Sequence, residues 1–214
     1  MIGSGATTGT RPRAIDFRHL KPPAGFRNIN ELGNLDSLEW LHPVQTLFGD
    51  WSASCLILGQ DFNSWGNIKN INPHDLKHDP SFETNINLDK IFKNSSALYA
   101  NYCWFIKEGK NASAALSLRK EVREANKPVF EATVQNMENL RNIFCLGSKV
   151  THAVLGGPEK PLASRRKIVC GRELLVHSLL HPGALGMVNF YKKQSVSKAD
   201  ALKLLKRYVE SYAL

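Results

Sequence analysis

Four short apolar runs in this 214-residue chain each end in residues able to do chemistry. Cys55–Leu58 is followed by Gly59-Gln60-Asp61-Phe62, and Ala97–Ala100 by Asn101. Ile143–Leu146 runs into Gly147-Ser148, and Leu174–Leu180 into His181-Pro182-Gly183-Ala184-Leu185-Gly186. A carboxylate and an imidazole move protons; a side-chain amide donates and accepts hydrogen bonds at once. Each alone has a bland account. A Gly-x-Asp triplet is commonly a turn, and a histidine after a strand is commonly structural. They form one constellation only if the four runs lie side by side and point the same way.

The segments between the runs predict that arrangement. Asp36 and Glu39 have capping-box spacing ahead of Trp40, Leu41, Val44, Leu47 and Phe48 at helical spacing. Leu88, Ile91 and Phe92 suggest a short helix. Residues 112–125 carry alternating charges on a helical pattern, and Asn126-Lys127-Pro128 looks like the cap of a helix over Val129–Leu140. Ser197 and Asp200 form a second capping box before Leu204, Leu205, Tyr208 and Tyr212. Apolar strands alternating with helices imply an α/β fold: three layers, α/β/α, around a central, mainly parallel sheet of about four strands. Ligands of such sheets bind outside the carboxyl ends of the strands. Residues 1–30, rich in Gly, Thr, Pro and Arg, read as an N-terminal arm, and residues 31–214 as a single domain. Residues 59–87 read as a long polar loop, and Arg165, Arg166 and Lys167 as a basic loop before the fourth run.

Charge narrows the partners. Residues 1–100 hold nine basic and ten acidic side chains, net −1, whereas residues 101–214 hold 19 and nine, net +10. A basic half favours a polyanion such as nucleic acid. No apolar run is long enough to cross a membrane, and the N-terminus lacks a secretory h-region. Cys55, Cys103, Cys145 and Cys170 lie in or beside apolar runs without Cys-x-x-Cys spacing, so neither a zinc ribbon nor an iron–sulfur cluster is expected. Four reduced, buried thiols in a cytoplasmic protein are expected instead. His177, inside the fourth run, is expected to be a satisfied core histidine, and His74 and His78 to belong to an exposed loop.

The strand-end residues resemble the uracil-DNA glycosylase superfamily. Leu56-Ile57-Leu58-Gly59-Gln60-Asp61-Phe62 is similar to its first motif, Ala97-Leu98-Tyr99-Ala100-Asn101 to its strand-end asparagine, and Val176 to Gly183 to its His-Pro-Ser motif. Ile143 to Ser148 also fits the pattern, so the resemblance spans residues 40–187 in patches. It implies an enzyme that flips uracil, or a related deaminated base, out of DNA. The N-glycosidic bond is then hydrolysed through an oxocarbenium-like state. Asp61 would stabilise the cationic sugar and orient or deprotonate water. His181 would stabilise charge growing on the uracil O2. Asn101 would read the O4 and N3 edge, with Gly59, Gln60 and Phe62 completing the uracil site. Ser148, Pro182, Gly183 and Ala184 would grip phosphates, and Leu185 would fill the gap left by the flipped base. Arg165, Arg166 and Lys167 would add phosphate contacts, or form a solvated loop.

Phe62 stands where the family usually has Pro, Asn63 where one branch has a bulky Tyr, and Gly183 where Ser is usual. Phe62, Trp65 and Phe82 are the candidates to stack on the base. No lysine is placed for Schiff-base chemistry, so a monofunctional enzyme is expected. It would act as a monomer on DNA containing uracil or an abasic site, with no metal or cofactor and no membrane. One alternative is a catalytically weak protein of the same fold that binds uracil or abasic DNA. Another is a small-molecule enzyme on a similar sheet, although no Gly-x-Gly-x-x-Gly or Walker-type loop occurs.

Overall fold

A computed structural model describes residues 20–28, 48–61, 83–93, 95–109 and 118–212, with backbone only at Phe48, Asn85, Ala184, Leu185, Lys193 and Gln194. The elements are β1 (Phe26–Asn28), β2 (Phe48–Gly49), β3 (Cys55–Gly59), α1 (Glu83–Phe92), β4 (Leu98–Asn101) and β5 (Phe105–Lys107). They continue as α2 (Lys120–Asn136), β6 (Asn142–Leu146), α3 (Ser148–Leu155), β7 (Ala163–Val169), β8 (Arg172–Leu179), α4 (Ala184–Gln194) and α5 (Lys198–Glu210). Of the segment predicted to be helical, Trp40 to Leu47 lies outside the described residues and Phe48 begins β2 instead. Of the predicted loop over 59–87, residues 62–82, with Asn63, Trp65, His74, His78 and Phe82, lie outside them, and Glu83 onward is helical.

Among the described residues the main sheet has six strands in the order β2-β4-β3-β6-β8-β7, not about four. Its middle four, β4, β3, β6 and β8, are the four apolar runs and are mutually parallel. The two extra strands pair antiparallel at the edges. The basic segment expected to be a loop is β7, which returns along β8 in a hairpin. Its turn is Cys170-Gly171, with φ of 51° and 76°. Two consecutive left-handed residues match the twist of the flanking strands. Cys170 is therefore half-buried at a turn, unlike the buried Cys55, Cys103 and Cys145.

Every residue of β3 and of β6 is buried, because a parallel strand inside the sheet is covered on both faces. The two-residue alternation sorts their side chains. Leu56, Leu58, Ile143, Cys145 and Val176 pack with Val129, Phe130 and Val134 of α2 and with Val150 and Val154 of α3. Cys55, Ile57, Phe144, Leu146 and Leu179 pack with Ile91 and Phe92 of α1, Met187 and Phe190 of α4, and Ala201, Leu205 and Val209 of α5. Helices thus cover both faces of the sheet.

The α5 cap lies where its spacing predicts: the Ser197 hydroxyl accepts the Asp200 N–H at 3.1 Å. In α2 the prediction fails. One helix runs through Lys120–Asn136 with Pro128 inside it. Pro128 is exposed, as is Glu124, whose carbonyl the proline leaves without its helical N–H partner. Asn126 does not cap a helix; it is wholly buried and serves the loop after β4.

Part of the N-terminal arm belongs to the body. β1 pairs antiparallel with β5 in a small second sheet, with Phe26 opposite Lys107. Phe26 is buried against Cys103, Phe105 and Val122.

Candidate functional site

The parallel register sets Gly59 beside Asn101, Leu58 beside Cys145 and Leu146 beside Leu179. Asp61, Asn101, Ser148 and His181 consequently follow from one edge of the sheet.

At the β3–β4 end the two exit loops zip together. The Tyr102 N–H donates to the Gly59 carbonyl and the Cys103 N–H to that of Gln60, each at 2.9 Å. A Cβ at Gly59 would overlap Oδ1 of Asn101. The glycine leaves room for the Asn101 amide, which any side chain at 59 would displace.

Asp61 does not stand alone. Its Oδ2 accepts from Gln60 Nε2 at 2.8 Å and from Lys107 Nζ at 3.1 Å. The side chains of Lys107 and Asp61 are only 4% and 9% exposed, so this is a buried ion pair. Sequence reasoning missed Lys107. A lysine closing the apolar run Cys103–Ile106 was the available signal. Lys107 is held by Asp61 in that ion pair.

Two devices hold β5, which carries Lys107. One is the pairing with β1. The other is Asn126, whose Oδ1 accepts the Trp104 N–H at 2.7 Å while its Nδ2 donates to the Val122 carbonyl at 2.8 Å.

The His181 segment is fixed differently. The Gly183 N–H donates to His181 Nδ1 at 3.1 Å, so a neutral ring carries its proton on Nε2. Asn87 of α1, buried, donates from Nδ2 to the Pro182 carbonyl at 2.6 Å. A Cβ at Gly183 would come within 2.9 Å of both His181 Nδ1 and Thr84 Oγ1. The ring thus occupies the room a serine side chain would need. Desolvation pushes the His181 pKa below the ordinary imidazole value, and the charge of Asp61 opposes that shift. The residue nonetheless keeps an exposed face. Its neutral form dominates near pH 7.

The remaining predicted residues divide. Ser148 is exposed at the start of α3, whereas Pro182 and Gly183 are buried. Ala184 and Leu185 open α4, described by backbone alone. Phe62 lies outside the described residues. Arg165, Arg166 and Lys167 are exposed on β7 but are not brought to the strand ends. Arg165 lies opposite Val176 and Arg166 opposite Leu175. At ~3.3 Å per residue that is roughly 10 Å or more back from Leu179. Glu159 faces Arg165 at 3.8 Å, and Glu173 pairs with Arg166. Near them a groove of about 480 Å³, lined by Arg123, Lys127, His152, Lys167 and Cys170 among others, contains none of Gly59, Asp61, Asn101 or His181.

His177 is a core residue. It is fully buried, with Nε2 3.0 Å from Asn142 Oδ1 and Nδ1 3.1 Å from the Tyr208 hydroxyl. It stacks on Phe144 at a ring separation of 4.4 Å. Among the described residues no group of three or more His, Cys, Asp or Glu is placed to hold a metal ion. None of the described helices is long and apolar enough to cross a membrane. No protein-family model matches the chain, and no curated protein matches its sequence.

Proposed function

We propose that this chain is a monofunctional DNA glycosylase of the uracil-DNA glycosylase type, a three-layer α/β/α enzyme of base excision repair. It flips uracil, or a related deaminated base, out of DNA and hydrolyses the N-glycosidic bond, leaving an abasic site. The observation that supports this reading is that Asp61, Asn101 and His181 follow from the same carboxyl edge of four parallel strands.

Each group suits one part of the reaction. The Asn101 amide, over Gly59, can donate to O4 and accept from N3–H of a flipped uracil. A neutral His181 offers Nε2–H to the O2 atom as negative charge develops there. Asp61 stabilises the sugar cation and orients the attacking water. Gly59 and Gln60 contribute backbone to the base site, with Phe62 beside them in sequence. Ser148 and the Pro182-Gly183-Ala184 segment lie where phosphates would be gripped, with Leu185 as the wedge and the Arg165-Arg166-Lys167 strand as an outer basic flank. The enzyme is proposed to act as a monomer with no cofactor. Buried thiols at Cys55, Cys103 and Cys145 suit the reducing cytoplasm.

The test is base release from an oligonucleotide carrying one uracil, read as alkali-sensitive cleavage. Oligonucleotides with a G·T mispair or hypoxanthine give the specificity. Wild-type protein is expected to release uracil, and Asp61→Asn to lose about 10²–10⁴-fold in rate while still binding the substrate. Full activity in Asp61→Asn would remove the mechanism.

One observation favours a second reading. Lys107 and Gln60 both engage Asp61 Oδ2, which weakens that carboxylate as a base. The chain would then be a catalytically weak protein that holds uracil or abasic DNA. Tight, salt-dependent binding without base release selects this reading.

A further inference from the structure

Lys107 ends a strand whose other residues, Phe105 and Ile106, are at most 1% exposed. A lysine in such a place ordinarily extends its stem and delivers its amine to water. Here the amine turns inward to Asp61, and both side chains are nearly sealed from solvent. The same carboxylate oxygen takes a second hydrogen bond, from Gln60. Two donors on one oxygen fix the carboxylate's rotation, and one of them cancels its charge. A lone carboxylate so poorly solvated would be strongly disfavoured, and its field would repel a nearby phosphodiester backbone.

The chain also invests in placing this lysine. Phe26 sits opposite it in the β1–β5 ribbon. Asn126, on a helix of the opposite side of the loop, anchors Trp104 three residues before it.

We propose that Lys107 is a positioning residue of the DNA site: it aims Asp61 at the reacting sugar and neutralises it toward the phosphates. The proposal rests on the glycosylase reading for its first role only. The second role holds equally for a protein that binds DNA without turnover.

Two measurements test it. The first is single-turnover uracil release by Lys107→Met and Lys107→Arg. Lys107→Met is expected to fall about 100-fold, the cost of a misaimed catalytic group. Lys107→Arg, which keeps the charge and a donor, is expected to recover to within about tenfold of wild type. Lys107→Met at wild-type rate overturns the positioning role and leaves the glycosylase reading intact.

The second is affinity for an abasic-site duplex at fixed salt, using Lys107→Met, Asp61→Asn and the double variant. Lys107→Met is expected to bind about tenfold more weakly than wild type, and Asp61→Asn more tightly. Asp61→Asn/Lys107→Met, with neither charge buried, is expected to return to wild-type affinity. It also keeps the test alive if Lys107→Met alone does not fold. A double variant that binds as weakly as Lys107→Met, or clearly more weakly than wild type where Lys107→Met cannot be purified, overturns the counter-charge role. If wild-type protein releases no base, the glycosylase reading fails, and the affinity series decides the role of Lys107 by itself.

Discussion

The Asn126 side chain reaches 22 residues back along the chain to accept the Trp104 N–H at 2.7 Å, in a fully buried setting. Replacing it with Leu removes the acceptor of that buried N–H. Asn126→Leu is expected to cost about 1–3 kcal/mol of stability, measured by urea unfolding. Because Trp104 leads into β5, uracil release should fall in the same variant even at temperatures where it is fully folded. Unchanged stability would show that the bond carries no weight.

His177 gives a pH dependence whose sign can be worked out. Burial depresses its pKa from 6.5 to about 4. Between those values the unfolded chain takes up a proton that the native core refuses, so unfolding is favoured as pH falls. The stabilisation is complete above pH ~6.5 and is lost on descending toward pH ~4. Its full size is about 3 kcal/mol. Lys, Arg and carboxylate titrations are common to a His177→Phe variant, so the difference between its pH–stability curve and that of wild type isolates this histidine. Parallel curves from pH 7 to pH 4 would contradict the assignment.

Gly59 tests the uracil-reading role proposed for Asn101. An added methyl group at Gly59 must push the Asn101 amide away, since the two would overlap. Gly59→Ala is expected to lower uracil release by at least ~10-fold, with a smaller loss of binding to undamaged DNA, because base contacts carry the specificity and phosphate contacts the bulk affinity. Equal losses on both would place Asn101 outside base recognition.

Gly183 makes a counter-intuitive prediction. Restoring the serine common in similar motifs should harm this protein, because the new Cβ falls 2.9 Å from both the His181 ring and Thr84. Gly183→Ser is expected to slow base release about tenfold or more by turning His181 Nε2 from the base. A gain in activity would mean that the ring has room to move.

The buried lysine makes a trapping experiment informative. Lys107 is engaged by Asp61 and has almost no exposed surface. Sodium borohydride is expected to trap no covalent complex with abasic DNA. An adduct that disappears in Lys107→Arg would instead assign a lyase step to that amine.

The parallel heart of the fold was legible because Cys55–Leu58 and Ile143–Leu146, in β3 and β6, are unbroken apolar runs, the pattern forced by burial on both faces. From strand direction followed the shared edge of Asp61, Asn101 and His181. The edge strand β7 was not legible. Only Val169 in it is buried, and its basic residues, which guard a free edge against pairing with other chains, give the composition of a loop. Asn126 was misread because a buried amide before Lys-Pro has the local grammar of a cap, whereas its partner Trp104 is distant in sequence. Lys107 stood out only as a lysine closing an apolar run, because its meaning depends on Asp61, 46 residues away.

The β1–β5 ribbon is only three residues long on each strand and forms a two-stranded sheet of its own. Ribbons this short are marginal by themselves, and such elements detach at free energies well below that of global unfolding. Detachment would loosen the strand that carries Lys107 while the six-stranded sheet stays intact. Amide hydrogens of Phe105 to Lys107 should then exchange faster than those of β3 and β6. The burial of the Lys107–Asp61 ion pair would thereby follow a local breathing motion of the N-terminal arm.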